Sequence, residues 1–283
     1  MTRWARLTPS LALLPFLAYL VVFLLIPTVT VVIGAFVEDG RVTFSNVAAL
    51  GDPVALSTLR TSVVLSVVSA AIGAVFGSVL AYLVVSGSPD SVLRRLVTSL
   101  SGVLAQCGGV MLAFAFIATI GFTGTLTIWI RDLLGLDIYG SGWLFDLPGL
   151  ILVYAYFQIP LMVIVFLPAL DGIRPQWREA SVTLGASVWQ YWTQVAIPLL
   201  RPAFLGAALL LFANAFAAYA TAAALVSQGS PIVPLLIRAG VSSEVLLGHQ
   251  NLAFALAFEM IVVVALLMTA YSLLVRRTSR WLR

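Results

Sequence analysis

The chain has 283 residues, of which 61% are hydrophobic and 9% charged, where a soluble domain carries about a quarter charged residues. That balance excludes a soluble globular protein and makes this an integral membrane protein. The net charge of +4 rests on fifteen arginines and no lysine, so neither a GxxxxGK[ST] phosphate loop nor a lysine Schiff base can form.

Runs of about 20 apolar residues mark spanning helices, and six are predicted. The first, Leu11–Phe36, follows Arg3 and Arg6. It is longer than the apolar core of a signal peptide and has no small-x-small cleavage site, so it reads as a span. Pro15 and Pro27 predict a bend in it. The second span, Leu59–Val85, carries Ser69, Gly73, Gly77 and Ala81 at every fourth position. Such a stripe lets another helix approach closely, inside the bundle or across a subunit interface. Leu96–Ile120 is predicted as the third span and includes Cys107, the single cysteine, read as a small packing residue. The outer segment TLTIWIRDLLGL is expected to form a helix at the membrane interface with Trp129 and its leucines toward lipid, and IVPLLIRAG likewise. Pro148–Leu170 is the fourth span, with Pro160 expected to kink it. Ala203–Ser227 and Leu252–Val275 complete the set.

Charge sets the orientation. With both termini inside, the cytoplasmic segments hold Arg3, Arg6, Arg94, Arg95, Arg174, Arg178, Arg201, Arg276, Arg277, Arg280 and Arg283, against Asp90, Asp171 and Glu179. Outer segments hold Arg41, Arg60, Arg131 and Arg238 against seven acids, Glu244 among them. The excess of inner arginine fits the positive-inside rule. The basic charge is thus an orientation signal, with no nucleic-acid partner implied.

On this topology residues 171–201 lie in the cytoplasm, and their local code is explicit. Pro175 suits a first helical position, Gly185 a left-handed stop, and Ser187 with Gln190 a capping box for a second helix. Trp189, Trp192 and Ala196 are expected on one side of it, with Pro198 ending the run. Two readings stand at this point. The insert is either an interfacial loop anchored by tryptophan, or a rigid element offered to a cytoplasmic partner that moves the bundle.

The stretch EASVTLGASVWQYWTQVAIP resembles the EAA loop of binding-protein-dependent ABC importers, which reads E-A-A, three residues, G, nine residues, I-x-L-P. Glu179, Ala180 and Ser181 fill the first triplet, with serine for the second alanine, and Gly185 falls at the required spacing. Val195, Ala196, Ile197 and Pro198 fill the closing pattern with conservative changes. The resemblance implies an all-α fold of six transmembrane helices in the type I (MetI-like) permease architecture. Residues 1–283 then form a single permease domain with 171–201 as its coupling loop. It implies that Glu179, Ala180, Ser181, Leu184, Gly185 and Ala186 couple to a separate ATPase, with Pro198 closing the loop. Two ATPase subunits carrying ATP and magnesium, a second, non-identical permease and an external binding protein are the implied partners. The implied location is a bacterial cytoplasmic membrane. The chain itself is then a transport subunit and no enzyme, with no cofactor of its own.

Polar groups inside the spans are few, and in membranes they face the bundle or a cavity. Glu259 stands out in the sixth span. A charge at mid-bilayer costs about 2.5–3.5 kcal/mol, so it is expected to pair with Arg60, to hydrogen-bond a neighbouring helix, or to meet a cationic solute. Tyr156, Gln158, Asn214 and Tyr219 are further pathway candidates, each also able to serve as an interhelical hydrogen bond, while His249 reads as solvated. The runs GLDIYGSGWLFDLPGLILVYAYFQIPLMVIVFLPALDGI and FANAFAAYATAAALV look like permeases of the spermidine/putrescine type, whose relatives handle thiamine, ferric iron and aminoethylphosphonate. A sugar or glycerophosphodiester importer is an alternative. A gradient-driven carrier would need ionisable or unwound sites near the midplane, and only Glu259 offers one. A membrane enzyme or metal site would need a cluster of His, Cys, Asp or Glu, and one histidine far from one cysteine does not supply it.

Overall fold

A computed structural model of the protein describes residues 8–38, 40–88, 90–140, 142–226, 232–242 and 251–278. His249, Glu244, Arg3, Arg6, Arg280 and Arg283, which entered the reading above, lie outside the described residues. Six stretches are long and apolar enough to cross a membrane: Leu13–Ala35, Pro53–Ser86, Gly109–Leu134, Leu147–Asp171, Val188–Ala217 and Leu252–Leu273. Five overlap the predicted spans with shifted ends, and the third is rearranged. The chain divides into two compact units.

The first unit draws on Met1–Leu56 and Leu236–Val262. It opens with α1 (Thr8–Leu20), a π-turn at Val21–Leu25 and α2 (Ile26–Ala35). Proline lacks an N–H and its ring presses on the carbonyl four residues back. A turn widened by one residue just ahead of Pro27 makes room for it. A short hairpin follows, β1 (Val37–Glu38) with β2 (Arg41–Val42), pairing Val37 with Val42 and Glu38 with Arg41. The Val37 carbonyl accepts from two amides, Asn46 Nδ2 at 3.0 Å in α3 (Ser45–Ala48) and Asn251 Nδ2 at 2.7 Å. Asn251 immediately precedes α14 (Leu252–Thr278), whose Phe258 meets Phe36 edge to face at 5.3 Å.

The second unit is the helical bundle, Ser57–Leu235 with Val263–Arg283. Lipid tails are as apolar as leucine, so close packing and interhelical hydrogen bonds hold such a bundle, with little from the hydrophobic effect. Helix α4 (Pro53–Ser86) is closely packed along its glycines. A Cβ on Gly73 would lie 2.6 Å from Gln158 Cβ, and one on Gly77 would lie 2.5 Å from Met162 Cβ and 2.6 Å from the Ile159 carbonyl oxygen. The small-residue stripe therefore serves the inside of the bundle, against α8 (Leu147–Asp171). Helix α8 continues through Pro160 and Pro168 without interruption. Its Gln158 is fully buried and donates Nε2–H to the Leu211 carbonyl of α11 (Ile197–Ala217) at 2.7 Å. At the end of α8, Asp171 Oδ2 pairs with Arg94 Nη2 at 2.5 Å.

The predicted third span does not form as one helix. It is divided into α5 (Val92–Gln106) and α6 (Gly109–Ile120). Gly109 adopts φ +78°, a left-handed conformation open to glycine, and this ends α5 at Cys107. After a glycine-bounded turn, α7 (Thr125–Leu134) follows with Trp129, Leu133 and Leu134 exposed, and it closes the apolar stretch Gly109–Leu134. The IVPLLIRAG segment likewise forms α13 (Val233–Ser242), held at its start by a 2.8 Å bond from the Val233 N–H to Ser62 Oγ.

Candidate functional site

The insert ahead of the fifth span is built as its sequence dictates. Helix α9 (Pro175–Thr183) starts with proline at its first position. It ends in a Schellman turn: the Ala186 N–H donates to the Ser181 carbonyl and the Gly185 N–H to the Val182 carbonyl, both at 2.9 Å. Gly185 makes this possible with φ +77°. Helix α10 (Val188–Tyr191) begins with the full capping box, Gln190 N–H to Ser187 Oγ at 3.2 Å and Ser187 N–H to Gln190 Oε1 at 2.7 Å.

Two expectations fail beyond this point. Pro198 does not end the run: a π-turn at Trp192–Ala196 absorbs it, and helix continues from Val188 to Ala217. This is the arrangement already seen before Pro27. The extra residue also displaces the expected face. Ala196 is fully buried and Tyr191 nearly so, whereas Trp189 is 75% exposed.

Exposure picks out the chemistry of the insert. Glu179, Ala180, Gly185 and most of α9 are exposed, while Ser181 is buried and donates to the Arg178 carbonyl at 2.7 Å. Leu184 is 87% exposed, and Val182, Val188 and Trp189 are also large apolar side chains without cover. An exposed element with such a patch is suited to binding another protein.

The pathway candidates differ in their surroundings. Gln158 is used up between helices, its Oε1 left without a partner among the described residues. Tyr156 is 40% exposed and packs edge to face on Phe116 at 5.6 Å. Asn214 is exposed on α11, and Tyr219 is half-buried where α11 stops, ahead of α12 (Ala220–Leu225). Glu259 lies in the first unit, half-buried, with Oε2 lacking a hydrogen-bond partner among the described residues; Arg60 is exposed on α4.

Sequence reasoning missed two features. One is that the break at Ala218–Tyr219 abuts the break at Cys107–Gly108. The Gly109 N–H donates to Thr221 Oγ1 at 2.9 Å, and the freed Ala218 carbonyl accepts from the buried Tyr154 hydroxyl at 2.6 Å. Interrupted helices are tolerated at membrane depth only where side chains re-satisfy the backbone or a cavity supplies water. Replacing Tyr154→Phe removes that donor. We expect a loss of about 1–3 kcal/mol, read as a lower melting temperature of the purified protein with faster amide exchange over residues 218–221.

The other missed feature is a polar stripe. Arg95, Ser99, Gly102 and Gln106 recur at steps of four, three and four along α5 and are all exposed. That spacing keeps them on one helix face and was visible in the sequence. It was obscured by reading the segment as the start of an unbroken apolar span.

An exposed two-helix insert leading into one of six apolar stretches marks an all-α, multi-pass membrane protein of the type I importer-permease (MetI-like) fold. The family described as "binding-protein-dependent transport system inner membrane component" matches residues 73–280, and the chain belongs to that family. It is 28% identical over 192 residues to the sulfate transport system permease protein CysW of Escherichia coli, covering 68% of this chain and 62% of that protein. To CysW of Synechocystis it is 26% identical over 254 residues, covering 89% of this chain and 85% of that one. In fold it is similar to a crystal structure of a bacterial ABC transporter involved in import of the acidic polysaccharide alginate. That likeness has a TM-score of 0.77 and 18% identity over 95% of each chain.

Proposed function

We propose that this chain is the membrane subunit of an ATP-driven importer, forming half of a pathway for a small polar solute delivered by an external binding protein. Residues 1–283 act as one permease domain with 171–201 as its cytoplasmic coupling loop. The observation that carries this is the insert itself, a glycine-locked pair of helices whose Leu184, Val182, Val188 and Trp189 stand uncovered. A separate ATPase, with its own ATP and magnesium, is the cover. Glu179, Ala180, Ser181, Leu184, Gly185 and Ala186 form its seat, and Pro198 fixes the joint to the span. Two ATPase subunits and a second, distinct permease complete the assembly in a bacterial cytoplasmic membrane. The stripe on α5 favours a second permease, because the hydroxyl of Ser99 and the amide of Gln106 would be costly facing lipid. Two such faces can instead enclose water.

For the solute we favour a compact oxyanion of the sulfate kind. Both sequence relatives carry sulfate in their names. The α5 stripe presents a guanidinium and polar donors with no carboxylate. A second reading, a polyamine or a relative such as thiamine, ferric iron or aminoethylphosphonate, draws on the unpartnered Glu259 Oε2. The test is uptake by the importer reconstituted in vesicles with its binding protein. Sulfate uptake that requires ATP and survives Glu259→Gln is expected. Spermidine uptake abolished by the same change would install the second reading, and transport driven by an ion gradient without ATP would sink both.

A further inference from the structure

A groove of about 450 Å³ opens on the bundle between α4, α8 and α11. Its floor is apolar and buried, formed by Phe166, Leu170 and Leu200. Its walls are Val79 and Tyr82 on one side and Trp192, Ile197 and Phe204 on the other. Val79, Tyr82 and Ile197 are exposed, so the groove is a slot open to the bundle surface. Aromatic pairs define its ends: Tyr82 with Trp192 at 5.2 Å and Phe166 with Phe204 at 5.8 Å, both edge to face.

Its position along the bundle is fixed by the same residues. Leu170 is one residue from the end of α8, and Tyr82 one turn from the end of α4, where the chain leaves the bundle toward the arginine-rich side. Tryptophan and tyrosine gather at the headgroup level of a membrane. Arg201 lines the groove, is exposed, and makes no hydrogen bond or ion pair among the described residues. The slot therefore combines an apolar trough, an aromatic rim and one guanidinium with no partner among the described residues.

We propose that this groove holds an anionic glycerophospholipid of the cytoplasmic leaflet, one acyl chain along Phe166 and Leu170 and its phosphate paired with Arg201. Charge decides the class of occupant. A guanidinium matches phosphate oxygens in a planar fork, and the cytoplasmic leaflet carries the anionic lipids. A zwitterionic lipid would bring its own cation to the same place. The site also touches the coupling route, because Trp192 is the first residue of the π-turn that joins insert and span. Lipid in the slot braces that joint from outside.

The test is native mass spectrometry of the intact importer complex, purified from membranes and exchanged into vesicles of phosphatidylcholine alone or mixed with phosphatidylglycerol. The wild type is expected to retain phosphatidylglycerol over phosphatidylcholine, and Arg201→Gln to lower that retention about fivefold, as one surface arginine implies. Val79→Trp, which fills the slot and leaves Arg201 in place, should lower it as well. Arg131→Gln, a change of the same charge elsewhere, should not. Equal retention of the two lipids by the wild type, or phosphatidylglycerol retained undiminished by Arg201→Gln, would overturn the proposal. So would a cross-link from position 79 to another subunit of the importer in place of lipid. Retention is read without transport, so its failure leaves the importer reading untouched.

Discussion

Gly185→Val is expected to leave the protein folded in the membrane while uptake falls at least about tenfold. A Cβ at this position would meet nothing within 4 Å, so no collision opposes the substitution. The penalty lies in the backbone, which holds φ +77°. A residue with a Cβ pays about 1–2 kcal/mol there, and a β-branched one fares worst. Relief comes from opening the Schellman turn, which reorients α9 against α10 and misplaces Leu184. A cost of this size shifts the seated and unseated forms by roughly tenfold. In the reconstituted importer the ratio of solute moved to ATP hydrolysed should therefore collapse. Asparagine tolerates the left-handed region, so Gly185→Asn should keep much of the activity. Normal coupling in the valine variant would remove the insert from the mechanism.

Gly77→Ala should be destabilising, against the usual sign for a helix. In an exposed helix that change stabilises by about 1 kcal/mol. Here the new methyl would sit 2.6 Å from the Ile159 carbonyl oxygen and 2.5 Å from Met162 Cβ. Backbone cannot swing aside as a side-chain tip can, so α4 and α8 must part. Overpacking of this kind costs about 1–3 kcal/mol and more for a larger group. Gly77→Leu should accordingly abolish stable protein in detergent. Gly102 offers the contrast, since a Cβ there meets nothing within 4 Å. Thermal unfolding of the three variants separates the cases. A Gly77→Ala protein as stable as Gly102→Ala would show that the two helices do not approach this closely.

Most of the insert was legible because its signals are local. Pro175, Gly185, Ser187 and Gln190 each act within one turn, and every one formed the cap or turn it encodes. The spans were legible as apolar runs, and their ends were not, since apolar sequence continues past them. Breaks between the helices of the bundle were read least well. Gly108 and Gly109 hinted at the first, but Ala218–Tyr219 contains no breaker at all. That unwinding depends on Tyr154, 64 residues earlier, donating to the exposed carbonyl. A contact so distant leaves no trace in a local window. Gln158 shows the same limit from the other side: its residue type fits a pathway, and only the tertiary fold commits it to Leu211. Trp189 was misplaced by counting 3.6 residues per turn across a segment that adopts a wider one.

The π-turn at Trp192–Ala196 has a consequence for chain length. Each residue of an α-helix advances the rotation by about 100°. The surplus residue thus sets the phase between α9–α10 and the span, as a key sets a gear on its shaft. Side chains in that turn can be exchanged without altering the phase. Loss of a single residue would swing Leu184 and its neighbours roughly a quarter-turn about the span, presenting the wrong flank to whatever grips them.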